Sequence, residues 1–390
     1  MEFNYSANPH VQFGPGKIDL LPKLARSYGN TLLLITGAES FQKSDHWPEL
    51  LKALEKKSII IYQATVKTEP SPSIIDRIVS RFRDKNINVV AAIGGGSVID
   101  AGKAVSAMMT KKESIIEYLE GIGNRSHDGK KIPFIALPTT SGTGSEATKN
   151  AVISQLGENG FKKSLRHDNF VPDIAIVDPE LTMDCPSKIT AACGMDALTQ
   201  LLESFASPGS SIVTDSLTEG ALRILGDSLI LAATKQPSDI DARTKLSYAS
   251  YISGLTLANS GLGLVHGFAS VIGGLFNIPH GVICGTLLSE TIRQNVESLI
   301  SMDLDNPALH KYARAACLLS PTHLSKDQVE SSRYLVTLLS EWTEQLEIPG
   351  LGAYGVTHKD IHRIVSATGQ KDNPIQLSVE KLSRILQARL

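Results

Sequence analysis

The sequence predicts two domains of different class, an α/β half built on a parallel sheet with helices on both faces and an all-α half. Three observations predict this. Short apolar runs recur through the first 180 residues with little polar alternation, as in strands buried on both faces. Amphipathic stretches lie between them. After Pro179 the apolar residues recur at three- and four-residue spacing almost to the C-terminus.

In chain order, the predicted strands are Thr31–Thr36, Ser58–Tyr62, Asn88–Ile93, Pro133–Leu137 and Ile174–Asp178. Helical patterns cover Trp47–Lys57 and Ser73–Lys85, and Glu69–Ser73 (EPSPS) is a rigid strand-to-helix turn. Val11–Phe13 is a candidate edge strand for pairing between copies. The boundary is placed near Asp178–Thr182, giving domains 1–180 and 181–390. The second carries helical patterns at Ile189–Phe205, Ser216–Lys235, Ala242–Ala258, Gly263–Phe276 and Val329–Leu346, and no strand is expected there.

Composition excludes several classes. The 390 residues carry 38 Lys and Arg against 40 Asp and Glu, a net charge of −2. No basic excess marks a nucleic-acid partner. No apolar run reaches the ~18 residues of a membrane span. MEFNYSANPH lacks the charged start and apolar run of a secretory signal. Cys185, Cys193, Cys284 and Cys317 form no CxxC pair, so reduced thiols in a cytoplasmic protein are expected.

Two loops carry the strongest signals. In Ala91–Lys103 (AAIGGGSVIDAGK) a buried strand ends at Ile93, three glycines and a serine follow, and a helix begins. Gly94, Gly95, Gly96 and Ser97 read as a pyrophosphate cradle, because a helix start offers free N–H groups and a favourable dipole to an anion. The pattern is neither GxGxxG nor a Walker loop. A simple glycine-rich turn is the competing reading. Pro138–Glu146 (PTTSGTGSE) also follows an apolar strand and concentrates hydroxyls and N–H groups in nine residues. Two such loops at the carboxyl end of one parallel sheet point to a ligand there.

The first of the five listed strands ends in Gly37, where many dinucleotide sites place an acid for the ribose 2′-hydroxyl. The missing carboxylate leaves room for a 2′-phosphate and tilts the expectation to NADP(H) over NAD(H), although Glu39 stands two residues on. In the helical half, Gly194–Glu203 (GMDALTQLLE) puts Asp196 and Gln200 on one helix face. His266 and His280 follow. One carboxylate and two imidazoles suit a divalent transition metal, although isolated histidines are more often structural.

These motifs, with VQFGPG at Val11–Gly16, IVDPEL at Ile176–Leu181, GLGLVHG at Gly261–Gly267, IPHG at Ile278–Gly281 and DNP at Asp372–Pro374, resemble the iron-containing (group III) alcohol dehydrogenase family nearly end to end. The resemblance implies a dinucleotide-binding α/β domain, an all-helical domain, and a cleft between them for the nicotinamide and one divalent metal, Fe(II) or Zn(II). It implies cofactor contacts at Gly95, Gly96, Ser97, Thr139, Thr140, Thr143 and Lys162, with Asp100 in the same motif. It makes Asp196, His266 and His280 the metal ligands and catalytic set, and Gln200, whose amide oxygen can coordinate more weakly than imidazole, takes the further ligand position where the family usually has histidine. Ser270 stands where many members have a second histidine. The implied reaction is NAD(P)-linked interconversion of a small alcohol and aldehyde, in a homodimer. A metal-free reductase of the maleylacetate type and a catalytically silent dinucleotide-binding protein are the alternatives that Gln200 and Ser270 leave open.

Overall fold

A computed structural model describes residues 3–157 and 160–390, so the first two residues of MEFNYSANPH lie outside the described ones. Among the described residues eight strands occur: β1 (His10–Phe13), β2 (Thr31–Thr36), β3 (Ile60–Thr65), β4 (Val89–Gly94), β5 (Phe134–Pro138), β6 (Asn150–Gln155), β7 (Phe161–Arg166) and β8 (Ile174–Val177). The longer helices of this half are α1 (Leu21–Tyr28), α2 (His46–Lys56), α3 (Pro72–Phe82) and α4 (Gly96–Met108).

Six strands form one parallel sheet in the order β1-β8-β5-β4-β2-β3. Its alternate residues feed two cores. Leu32, Leu34, Ala91, Ile93, Ile135 and Ile176 pack with Leu21, Leu50 and Leu54 of α1 and α2. Leu33, Ile35, Val90, Ala92 and Ala136 pack with Ile75 of α3 and Val98, Ile99 and Val105 of α4. Burial on both faces explains why these strands read as continuous apolar runs.

The strand order reverses between β2 and β4, which are neighbours although β3 lies between them in sequence. Ligands bind parallel sheets beyond the carboxyl ends of the strands at such a reversal. Gly37 and the glycines after β4 both lie at that point.

The sequence reading missed the antiparallel pair β6–β7. Ala151, Ile153 and Leu165 point into the α4 core, but FKKSLR has three charged residues in six and no apolar run. The pair brings Asn150, Val152, Lys162, Ser164 and Arg166 to the wall of a cleft.

From Ser187 onward the described residues are helical: α5 (Ser187–Ala206), α6 (Ile212–Ile230), α7 (Ile240–Ser260), α8 (Leu264–Leu275), α9 (His280–Met302), α10 (Pro307–Leu319), α11 (Gln328–Gln345), α12 (Ile361–Ala367) and α13 (Val379–Gln387). One large core joins them. Among the described residues no single helix is long and apolar enough to cross a membrane.

Candidate active site

The two glycine-rich loops meet face to face. A Cβ on Gly96 would stand 2.6 Å from Thr143 Cγ2, and one on Gly95 would stand 3.4 Å from Thr140 Oγ1. The Thr139 N–H donates to the Gly94 carbonyl at 2.9 Å. Lys103, buried on α4, locks the loops further: its ammonium donates to the Ser145 and Asn150 carbonyls and to Thr148 Oγ1. Burial lowers its pKa to about 8. Burial likewise raises Glu146 to about 7.

A cleft of about 600 Å³ opens between these loops and the helical half. Of the residues expected to touch cofactor, Gly96, Ser97, Asp100, Thr143 and Lys162 line it, facing Gln200, His266, Ser270 and His280. Thr139 and Thr140 line a second, smaller cavity of about 120 Å³ with Ser40, Phe41 and Leu181. The first turn of α4 lines the larger cavity through Gly96 and Ser97, so its N-terminus is open to an anion there. Gly37 lines neither cavity. A Cβ there would meet Val98 Cγ2 only at 3.8 Å, so the strand end has room for a side chain. Glu39 is exposed and ion-paired with Lys43.

Lys162 is not free in the cleft. It pairs with Glu69 Oε2 at 3.0 Å, and Glu69 also accepts from the Ser97 and Ser154 hydroxyls. Glu69, which opens the EPSPS turn, was legible only as a turn residue. Asp100 Oδ2 accepts from the Val152 N–H at 3.1 Å, tying α4 to β6.

The helical wall holds a cluster of donor atoms. On α5, Asp196, Gln200 and Glu203 share one face. Glu203 accepts from the Val265 N–H at 2.6 Å, satisfying a free donor at the start of α8, and from His266 Nδ1 at 2.7 Å. That contact turns His266 Nε2 toward Asp196 Oδ1, 3.4 Å away. His280 is the first residue of α9, and its Nε2 lies 3.7 Å from the same oxygen. The approach of α9 to α5 depends on Gly281, where a Cβ would fall 2.3 Å from the Ala192 carbonyl oxygen. Cys284 stands one turn further along α9. The ligand atoms of Asp196, His266, His280 and Cys284 all lie within 4.8 Å of one another.

Asp196 is 1% exposed, yet its Oδ1 makes no hydrogen bond. A buried carboxylate oxygen without a partner is costly, and a cation between the imidazoles and the thiol is what this donor set fits. Burial raises the Asp196 pKa, but His280 and His266 overcome it and hold the carboxyl at about 2. Burial also opposes a charge on His266, but Cys284, Asp196 and Glu203 outweigh it and raise its proton affinity well above the ordinary imidazole value. Burial lowers His280 to about 4 and raises the Cys284 thiol to about 12.

Gln200 lies beside this cluster, and its Oε1 accepts from Ser253 Oγ at 2.7 Å. The Ser270 hydroxyl donates to its own helix, at the His266 carbonyl. Lys371, which sequence reasoning did not single out, lines the cleft with its ammonium on the same carbonyl at 3.1 Å. Its backbone is left-handed, with φ 47°.

Known proteins resemble this chain in sequence and fold. The family model described as iron-containing alcohol dehydrogenase matches residues 8–179, and that of the Fe-containing alcohol dehydrogenase family C-terminal region matches 190–390. A long-chain-alcohol dehydrogenase of Geobacillus thermodenitrificans is 31% identical over 369 residues, covering 93% of this chain and 89% of its own. An NADPH-dependent butanol dehydrogenase of Clostridium saccharobutylicum is 27% identical over 97% of this chain and 95% of its own. The crystal structure of sulfoacetaldehyde reductase from Bifidobacterium kashiwanohense in complex with NAD+ superposes with a TM-score of 0.86 at 27% identity, covering 100% of this chain and 99% of that one. The chain belongs to the iron-containing alcohol dehydrogenase family of oxidoreductases.

Proposed function

We propose that this protein interconverts small alcohols and aldehydes with NADP(H) in preference to NAD(H), using one divalent metal, Fe(II) or Zn(II), held by Asp196, His266 and His280. The observation that carries this reading is the unpartnered Asp196 oxygen among nitrogen and sulfur donors, beside a cleft that runs to the glycine-rich loops. Residues 1–180 form the cofactor domain and 181–390 the metal and substrate domain.

When bound, the metal supplies a Lewis acid for the substrate oxygen and the nicotinamide a donor or acceptor for hydride. The chain supplies position and charge. Asp196 remains anionic across the working pH range. Glu203 fixes the ring of His266, so that Nε2 faces the cluster in one orientation. The first turn of α4, with the free N–H of Ser97, receives the pyrophosphate, with Lys162 close by. Lys103 holds both loops at one separation. The flanking domains remove water from the reacting atoms. Ser270, its proton committed to the His266 carbonyl, offers only lone pairs to water in the cleft.

The open strand end at Gly37 supports NADP(H). The exposed edge of β1 supports a homodimer, and the four free thiols suit the cytoplasm. The test is reconstitution with Fe(II) or Zn(II), then hydride transfer from NADPH and from NADH to short-chain aldehydes, followed at the reduced nicotinamide absorbance. Turnover that needs the metal and is faster with NADPH is expected. Cofactor binding without turnover in any metal form overturns the reading.

A further inference from the structure

The donor cluster contains a fourth atom that the proposed reaction leaves idle. Cys284 is fully buried, and its Sγ lies 3.7 Å from His280 Nε2 and 3.8 Å from His266 Nε2. The same nitrogens stand 3.7 and 3.4 Å from Asp196 Oδ1. A tetrahedral ion with ordinary bonds to imidazole, carboxylate and thiolate holds nitrogen and oxygen about 3.4 Å apart, and sulfur and nitrogen about 3.6 Å apart. All four separations fall within a few tenths of an ångström of those values. The one oxygen Gln200 could offer is held on the Ser253 hydroxyl at 2.7 Å, and a neutral amide oxygen is a harder and weaker donor to a transition metal than a thiolate.

We propose that Cys284 supplies a thiolate as the fourth protein ligand to the metal, so that the site comprises Asp196, His266, His280 and Cys284, with the Gln200 amide outside it. This rests on the preceding reading that the cluster holds a divalent ion. On binding, the S–H bond breaks, a metal–sulfur bond forms and the proton leaves to solvent, with no change in oxidation state. A soft donor among harder ones moves the preference toward Zn(II) and away from Mn(II).

Cobalt(II) tests this without reference to turnover. The full-length protein is loaded anaerobically with cobalt, desalted, assayed for metal per chain and examined by absorption spectroscopy. Wild type and Gln200→Ala should retain about one cobalt and show strong near-ultraviolet sulfur-to-cobalt charge transfer. Cys284→Ser should lose that absorption and bind cobalt about 10–100-fold more weakly, with an unchanged far-ultraviolet circular dichroism spectrum. Cobalt bound one to one without charge transfer overturns the thiolate while leaving the metal reading intact. Charge transfer that persists in Cys284→Ser also overturns it. Equal weakening in Gln200→Ala overturns the exclusion of the amide. A folded wild type that retains no cobalt overturns both the thiolate and the metal reading beneath it.

Discussion

The two walls of the cleft are built on opposite principles. On the cofactor side two loops are shaped by backbone, with glycines between β4 and α4 and hydroxyl-rich turns after β5 held by Lys103. On the helical side the surface is side chain, with four donors from α5, α8 and α9 around one point. A backbone surface is fixed by the space around it and tolerates change in chemistry at its margins. A side-chain surface changes its chemistry with each substitution while the helices that present it stay the same. Gln200, Ser270 and Cys284 all lie on the second wall.

The sharpest test of this contrast is Asp196→Ala. It should abolish metal retention, measured by mass spectrometry, and lower kcat by about a thousandfold or more, while NADP(H) affinity by fluorescence titration stays within about twofold. Lost cofactor binding would show that the walls are not independent. Glu203→Gln acts through His266 and should weaken metal binding about 10–100-fold without altering cofactor affinity. An unchanged metal dissociation constant would remove Glu203 from the site. On the backbone wall, Gly37→Asp fits the available space and should raise KM for NADP+ about tenfold while sparing NAD+. Equal effects on both cofactors would break the assignment of that strand end.

The smallest effect concerns Glu146. Its folded pKa of about 7 exceeds the 4.5 of an unperturbed glutamate, so its stabilising contribution is full below pH 4.5 and is lost as pH rises through 7. Glu146→Gln cannot ionise. The stability of wild type relative to the variant should therefore fall by at most about 3 kcal/mol between pH 4.5 and 7.5, read as a wild-type thermal midpoint that drops against the variant's as pH rises. Parallel midpoints would show that Glu146 does not bind its proton this tightly.

The same contrast explains what the sequence disclosed. The sheet was legible because β2, β4, β5 and β8 are buried on both faces and show it as unbroken apolar runs. The loop glycines were legible because few other residues fit a Cβ-free crossing. The β6–β7 pair was not, since its apolar residues are few and its outward ones are charged. Asp196, His266 and His280 were read from residue type and family likeness together. Cys284 was read only as a reduced thiol, although its four-residue offset from His280 on a helix was the available signal. Glu203 and Glu69 act through tertiary contacts from residues 62 and 28 positions away, which no local pattern encodes.

The two walls touch backbone to backbone at several crossings, among them Gly160 against Gly274 and Gly142 against Cys193. Gly144, left-handed in the loop after β5, meets Gly254 in the middle of α7, and a Cβ on either would come within 2.4 Å of the other's main chain. The separation of the two walls is thus gauged partly by peptide thickness at these contacts. Side chains on the helical wall can then change while the width of the cleft stays set by the main chain.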